Sequence, residues 1–231
     1  MRRTINKGLV VSCQAMPDEP LYGSELMAAM AQAAEQGGAV GIRANGILDI
    51  AAIRKATDLP MIGIIKRNIA GSSIYITPTL KDVYDVIDAG ADVVAIDATQ
   101  PLRPDGESLE YTIKAVKDRG AQIMCDISTL EEGLFASQAG ADYISTTLSG
   151  FTPYSEQQAG PDFKLVSELV RKVSTPVVAE GRIWEPRQAA LALELGAAFV
   201  VVGTAITRPQ IITRRFADEI RKWKRSNAGR C

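Results

Sequence analysis

Five charged side chains stand at or beside the C-terminal ends of apolar runs: Arg43 in AVGIRA, Lys66 in MIGIIK, Asp97 in DVVAIDA, Asp126 in QIMCDI and Glu180 in PVVAEG. Charge is costly in a buried run unless it is paired or faces a polar site. One such residue is explained by a solvated strand end, whereas five point to a shared polar site. Lys66 and Glu180 are the types that move protons at carbon, one a base and one an acid. Arg43 could polarise an oxygen or orient a carboxylate, and its charge would favour a neutral, basic Lys66. Gln14, closing GLVVSCQ, offers a donor and an acceptor to neutral groups. Asp126 could pair with Lys66 or bind sugar hydroxyls. Asp97 is equally well read as a structural hydrogen-bonding group. Two further run ends are small, at Glu180-Gly181 and Gly203-Thr204, with Arg182 and Arg208 just beyond. Each glycine alone could merely make a tight turn. Two together, each with an arginine nearby, favour an anion site built from backbone N–H groups.

Composition removes whole classes of chemistry. The chain has no histidine. That excludes Ser-His triads, the usual acid/base near neutral pH and the commonest zinc ligand. No carboxylate cluster recommends magnesium, so neither a metal nor an organic cofactor is expected. A formal net charge of −1 over 231 residues argues against a nucleic-acid surface or an acidic partner. The basic tail IRKWKRSNAGRC reads as a solvated helix end and a frayed terminus. No apolar run reaches membrane-spanning length. There are three cysteines and no signal peptide is read. Cys13 and Cys125 fall inside apolar runs, so buried, reduced thiols and a cytoplasmic location are expected.

The positioning elements follow from the apolar runs. Eight are strand-like, at 8–14, 39–44, 61–66, 92–98, 122–127, 143–148, 176–181 and 199–204. All are nearly continuously apolar, as strands buried on both faces are. Helical patterns separate them. Ser24 can cap SELMAAMAQAAEQ, and Thr79 with Asp82, and Ser128 with Glu131, have capping-box spacing. Pro186 suits the first turn of a helix. Gly90, Gly120 and Gly140 sit where left-handed helix ends are expected. AGAD occurs at 89–92 and again at 139–142, and LGAA at 195–198 echoes it. These mark one repeating helix-end, strand-start unit. The expected fold is therefore α/β, one domain over residues 1–231, a (β/α)8 TIM barrel with its site at the strand C-termini. The rival, a doubly wound open sheet, lacks a GxGxxG after the first run. In a barrel the third and seventh strands are opposite, so Lys66 and Glu180 face each other across the mouth. Two connections, RNIAGSSIYITPTL and SGFTPYSEQQAGPDF, are long for this fold and are candidate lids or substrate loops. In the C-terminal FADEIRKWKR, Phe216, Ile220 and Trp223 share one helical face, which either covers its own barrel or meets a partner.

At these residues the chain resembles the N-acylglucosamine-6-phosphate 2-epimerases, also called N-acetylmannosamine-6-phosphate 2-epimerases. The stretches that carry the resemblance include VSCQAMPDEPLYG, GGAVGIRANG, IGIIKR, ADVVAIDAT, ISTTLSGFT, VVAEGRI and VVVGTAITRP, spread over residues 8–220. The resemblance implies a barrel that interconverts N-acetylmannosamine 6-phosphate and N-acetylglucosamine 6-phosphate in amino-sugar and sialic-acid breakdown. It implies Lys66 and Glu180 as the catalytic pair and Gln14, Arg43, Asp126 and Arg208 as substrate contacts; Glu180 is then either the opposing acid/base or the group that opens and closes the ring, and a substrate hydroxyl could relay one proton and leave Lys66 the only side-chain base. It further implies a phosphate site at Gly181-Arg182 and Gly203-Thr204, and a homodimer. Phe151 stands where this family is expected to have tyrosine. The alternatives are another phosphosugar isomerase or epimerase, or a barrel that binds a phosphosugar without turning it over. A pentulose-phosphate epimerase would be expected to show histidines, and a non-catalytic barrel to lack Lys66 or Glu180.

Overall fold

The computed structural model describes residues 3–227. Eight parallel strands form a closed barrel in sequence order. They are β1 (Leu9–Cys13), β2 (Gly41–Asn45), β3 (Met61–Ile64), β4 (Val93–Asp97), β5 (Gln122–Asp126), β6 (Tyr143–Ser145), β7 (Val177–Glu180) and β8 (Phe199–Val202). The ring closes where β8 pairs with β1, Val201 opposite Val10. Around it run α1 (Ser24–Gln36), α2 (Ile47–Ala56), α3 (Leu80–Asp88), α4 (Leu109–Asp118), α5 (Leu130–Gln138), α6 (Phe163–Lys172), α7 (Pro186–Glu194), the short α8 (Thr204–Thr207) and α9 (Pro209–Asn227).

Strand side chains alternate between two cores, because the strand period is two. Val10, Ile62, Ile64, Val93, Ala95, Met124, Val178, Phe199 and Val201 fill the barrel interior. Their neighbours Val11, Ile42, Val94, Ile96, Cys125, Ala179 and Val202 face the helices. Arg43, Asp97, Asp126 and Glu180 fall on the interior phase of their strands, above the apolar filling, and Lys66 continues that phase two residues beyond β3. Alternation alone therefore sends all five charges to one mouth.

Several expectations need correction. The sixth strand stops at Ser145, and Thr146–Leu148 form a 3-10 turn. The cause is the Thr146 hydroxyl, which bonds the Glu180 carbonyl (3.0 Å) and N–H (3.2 Å) that strand pairing would otherwise use. The third strand stops at Ile64, and Lys66 instead forms an antiparallel bridge to Ile76. The connection after β3 thus folds back into the barrel, where Ile74 and Ile76 are buried. Gly23, not Ser24, caps α1; the Ser24 hydroxyl donates to Asp49 at 2.6 Å. The second capping box is Thr129 with Glu132, one residue beyond the expected pair, while the Thr79–Asp82 box forms as expected. Gly90, Gly120 and Gly140 are left-handed, with φ of 108°, 78° and 95°. Phe216, Ile220 and Trp223 of α9 are exposed, so this face does not cover its own barrel. Cys13 and Cys125 are buried and unpaired. The expected frayed end at 228–231, with Cys231, lies outside the described residues.

Gly63 sets how closely α3 approaches β3, the strand that presents Lys66. A Cβ there would stand 2.6 Å from Val86 Cγ1 and 2.7 Å from Ala91 Cβ. Gly63→Ala should therefore destabilise the fold by about 1–3 kcal/mol through overpacking. Denaturant unfolding checks this, and an unchanged midpoint would contradict the packing described.

Candidate functional site

A cavity of about 770 Å³ opens at the C-terminal mouth of the barrel. Its polar lining includes Gln14, Lys66, Thr147, Glu180, Thr204 and Arg208. An apolar wall of Leu148, Phe151, Pro153, Ile183 and Trp184 closes one side.

Arg43 and Asp126 lie beneath this cavity rather than on its lining. Arg43 is only 1% exposed, an unusual place for a guanidinium. It reaches from β2 to the fully buried Asp126 of β5 with both arms, Nη2 to Oδ2 at 2.5 Å and Nη1 to Oδ1 at 3.3 Å. The same Nη1 contacts Glu180 Oε2 and Thr147 Oγ1. Burial works against its charge, but Asp126 and Glu180 outweigh burial and hold the guanidinium protonated above the ordinary arginine value. The charges thus resolve into layers: Asp126 pairs with Arg43, not with Lys66.

Glu180 ends β7 with 14% of its side chain exposed, accepting from Arg43 below and reaching the cavity above. Burial raises its carboxyl above the usual carboxylate range; Arg43 opposes the shift and Asp126 adds to it. Lys66 lines the same cavity, anchored through its backbone, whose N–H donates to Asn45 Oδ1 at 2.8 Å. Among the described residues its ammonium has no carboxylate within ion-pair distance. Burial first, then repulsion by Arg43, pulls its pKa down to about 8, with Glu180 opposing. The mouth therefore holds a lysine that readily loses its proton and a carboxyl that readily keeps one. Such a pair can take a proton from a carbon and return one.

The remaining expected residues divide by what already holds them. Gln14 lines the cavity, and its amide donates to Ser12 Oγ at 2.7 Å. Arg208 pairs with Glu19 at 3.1 Å, and Gln210 donates to the same carboxylate at 2.9 Å. Gly181 is left-handed (φ 111°), as is Arg182 (φ 55°), rare for a side chain with a Cβ. Arg182 lines the cavity, with its guanidinium held by the loop after β6. Its Nε donates to the Gly160 carbonyl at 2.7 Å, its Nη1 to the Ser149 carbonyl, and it stacks over Phe151. Its guanidinium charge is thus engaged with the loop. Gly203 packs against Ser12, where a Cβ would come within 3.3 Å of Ser12 Cβ. Thr204 opens α8. Asp97 is a joint between loops, accepting from Thr99 (2.6 and 3.1 Å) and from the Tyr75 N–H (3.1 Å).

Sequence reasoning passed over Ser12, Asn45, Ile76 and Trp184. Ser12 was legible, two residues before Gln14 and so on the same face of β1. Asn45 closes β2 beside Arg43. Ile76 carried no signal, since nothing in a loop sequence says that it folds back into a barrel. Trp184 lines the cavity and is covered by Arg215 of α9, whose guanidinium lies 4.0 Å from its ring centre.

A family model described as "Putative N-acetylmannosamine-6-phosphate epimerase" matches residues 27–222. A relative from Caldanaerobacter subterraneus subsp. tengcongensis, called "Putative N-acetylmannosamine-6-phosphate 2-epimerase", is 54% identical, covering 96% of this chain and 95% of its own. A solved structure of the N-acetylmannosamine-6-phosphate 2-epimerase from Clostridium perfringens superposes with a TM-score of 0.91 at 52% identity, over 93% of each chain. Orotidine 5'-phosphate decarboxylase from Pyrococcus horikoshii shares the fold alone, at 17% identity and a TM-score of 0.59, over 92% of this chain and 99% of its own.

The Lys66 environment has a consequence for stability. With a folded pKa of about 8 against an ordinary 10.5, the unfolded chain binds more protons between those values. Stability from this group therefore rises with pH across that window, and the cost of the buried ammonium is fully present below it. Lys66→Met should raise the Tm at pH 7, and the gain should shrink as the pH approaches 10.5. Calorimetry over this range checks the sign; a variant less stable at pH 7 than at pH 10, relative to the parent, would contradict it.

Proposed function

The chain belongs to the N-acetylmannosamine-6-phosphate epimerase family, and from that premise we propose how its barrel mouth inverts C2 of N-acetylmannosamine 6-phosphate to give N-acetylglucosamine 6-phosphate, and the reverse. In the open-chain sugar the C1 aldehyde acidifies the C2 hydrogen. Neutral Lys66 takes that proton, leaving an enolate and a lysine ammonium. Glu180, as the acid, returns a proton to the opposite face of C2, and the two groups exchange with solvent to reset. In the reverse direction the two roles exchange. The observation that carries this reading is the opposed pair itself: a base with its pKa lowered to about 8 and a carboxyl with its pKa raised, both on one cavity. Their environments push them toward the protonation states the reaction needs.

Arg43 and Asp126 serve from beneath, with Arg43 orienting Glu180 and, with Asp126, setting the field at the reacting carbon. Gln14 and Arg208 hold the substrate's polar groups. The phosphate is received by backbone N–H groups at Gly181, Arg182, Gly203 and Thr204, with Arg208 supplying charge. Phosphate sites at the ends of the last two strands recur in barrels of this kind. The route requires no metal and no organic cofactor.

The exposed face of α9, with Phe216, Ile220 and Trp223, supports a homodimer. Buried, unpaired Cys13 and Cys125 support a reducing, cytoplasmic setting. Among the described residues no helix is long and apolar enough to cross a membrane. Amino-sugar and sialic-acid breakdown is the pathway setting this reading implies.

Three measurements test these assignments. Lys66→Ala should lower kcat by at least about 10²–10⁴-fold, the usual weight of a general base. In D2O the parent enzyme should place deuterium at C2 of the product from the first turnovers, while recovered substrate is labelled more slowly. NMR of C2 checks this, and product that fully retains its original hydrogen would defeat the two-group mechanism. Sedimentation at micromolar concentration should give twice the chain mass of 24.8 kDa, and a monomer would remove the dimer.

A further inference from the structure

Thr147 follows β6 and lines the cavity beside Glu180. Its Oγ1 lies 2.8 Å from Asp126 Oδ1, 3.0 Å from Glu180 Oε2, 2.8 Å from Ser145 Oγ and 3.3 Å from Arg43 Nη1. A threonine hydroxyl has one hydrogen and two lone pairs. Arg43 can only donate, so it uses a lone pair. Asp126 and Glu180 are then left to compete for a single hydrogen. If both are ionised, Thr147 can satisfy only one of them. If Glu180 is protonated and the Ser145 hydroxyl gives its own hydrogen elsewhere, Glu180 donates to the second lone pair of Thr147, Thr147 donates to Asp126, and both carboxyl contacts are hydrogen bonds.

We propose that Thr147 is a positioning residue for Glu180, whose one hydroxyl hydrogen turns from Asp126 to Glu180 when Glu180 gives up its proton. When Glu180 protonates C2, its O–H bond breaks and a C–H bond forms. The Thr147 hydroxyl keeps its hydrogen and rotates toward the new carboxylate. Both charge states of Glu180 are thereby hydrogen-bonded without moving Arg43. Asp126 tolerates losing the hydroxyl because Arg43 grips it with both arms. The groups facing Glu180 are Arg43 from β2, Lys66 after β3, Asp126 from β5 and the Thr147 hydroxyl, to which Ser145 Oγ is bonded in turn, while Asp97 and Arg208 line the same cavity. Thr147 is within hydrogen-bond distance of both carboxylates at once. The use of the acid form in turnover rests on the epimerase reading above; the shared hydrogen does not.

The test is therefore made first on the free protein. With carboxyl-¹³C glutamate incorporated, the Glu180 signal is assigned by its loss in Glu180→Gln and titrated. A hydrogen bond to a carboxylate is stronger than one to the neutral acid. Thr147→Val should thus raise the Glu180 midpoint by about one pH unit, a tenfold gain in proton affinity, and Thr147→Ser should return it to the parent value. If Thr147→Val does not fold, Thr147→Ala gives the same comparison. The kcat/KM profile should shift with the NMR midpoint in each variant. A midpoint unmoved in a folded Thr147→Val, or moved equally in Thr147→Ser, would overturn the proposal. A midpoint that moves as expected in a protein without epimerase activity would uphold the shared hydrogen and reject the reaction assigned above.

Discussion

The contact of Arg43 with Asp126 and Glu180 is the constraint on which the rest of the mouth depends. Taking a guanidinium out of water is costly, and removing one partner of such a buried set leaves an uncompensated charge. Here two carboxylates from two different strands meet one guanidinium from a third. β2, β5 and β7 are thereby tied together across the barrel at the layer immediately above the apolar filling. That tie fixes Glu180 from below and leaves its upper side to the cavity. It also places a permanent positive charge near Lys66 without giving Lys66 a close carboxylate of its own.

The electrostatics of the two acid/base groups follow from that asymmetry. Glu180 is held by a cation yet desolvated beside a second carboxylate, so its proton is retained more readily than in water. Lys66 is desolvated and repelled by Arg43, so its proton is given up more readily. Neither effect needs an unusual residue type. Both come from strand alternation, which sends residues of one parity to the interior and stacks them in layers.

The fold was legible because parallel strands buried on both faces are written as uninterrupted apolar runs, and all eight observed strands fall within or overlap the expected ones. The ends were less legible. Thr146 stops β6 through side-chain bonds to β7, a competition that no single-strand pattern reveals. Lys66 and Ile76 meet by a fold-back of the connection after β3. In the site, the converging charges could be named from their positions at run ends. Their vertical order could not, because it depends on how far each side chain reaches and what it finds there. Arg43 ends under the cavity, and Arg182 turns from the expected anion loop to the carbonyls of a neighbouring loop. A sequence gives a guanidinium's address but not the direction in which it points.

Arg182 also has a mechanical meaning. One side chain, rising from a left-handed backbone position at the end of β7, grips the loop after β6 near both of its ends, at Ser149 and Gly160. The stretch between them is a drawstring bag, its neck drawn in by Arg182 and by the Ser149 hydroxyl, which donates to Asp162 at 2.7 Å. It cannot be loosened at one end without stripping a carbonyl from the same guanidinium that secures the other. That side of the mouth is consequently bounded by a loop whose two ends answer to one side chain rooted in the rigid barrel, with its middle tethered to Ser128 and Glu132.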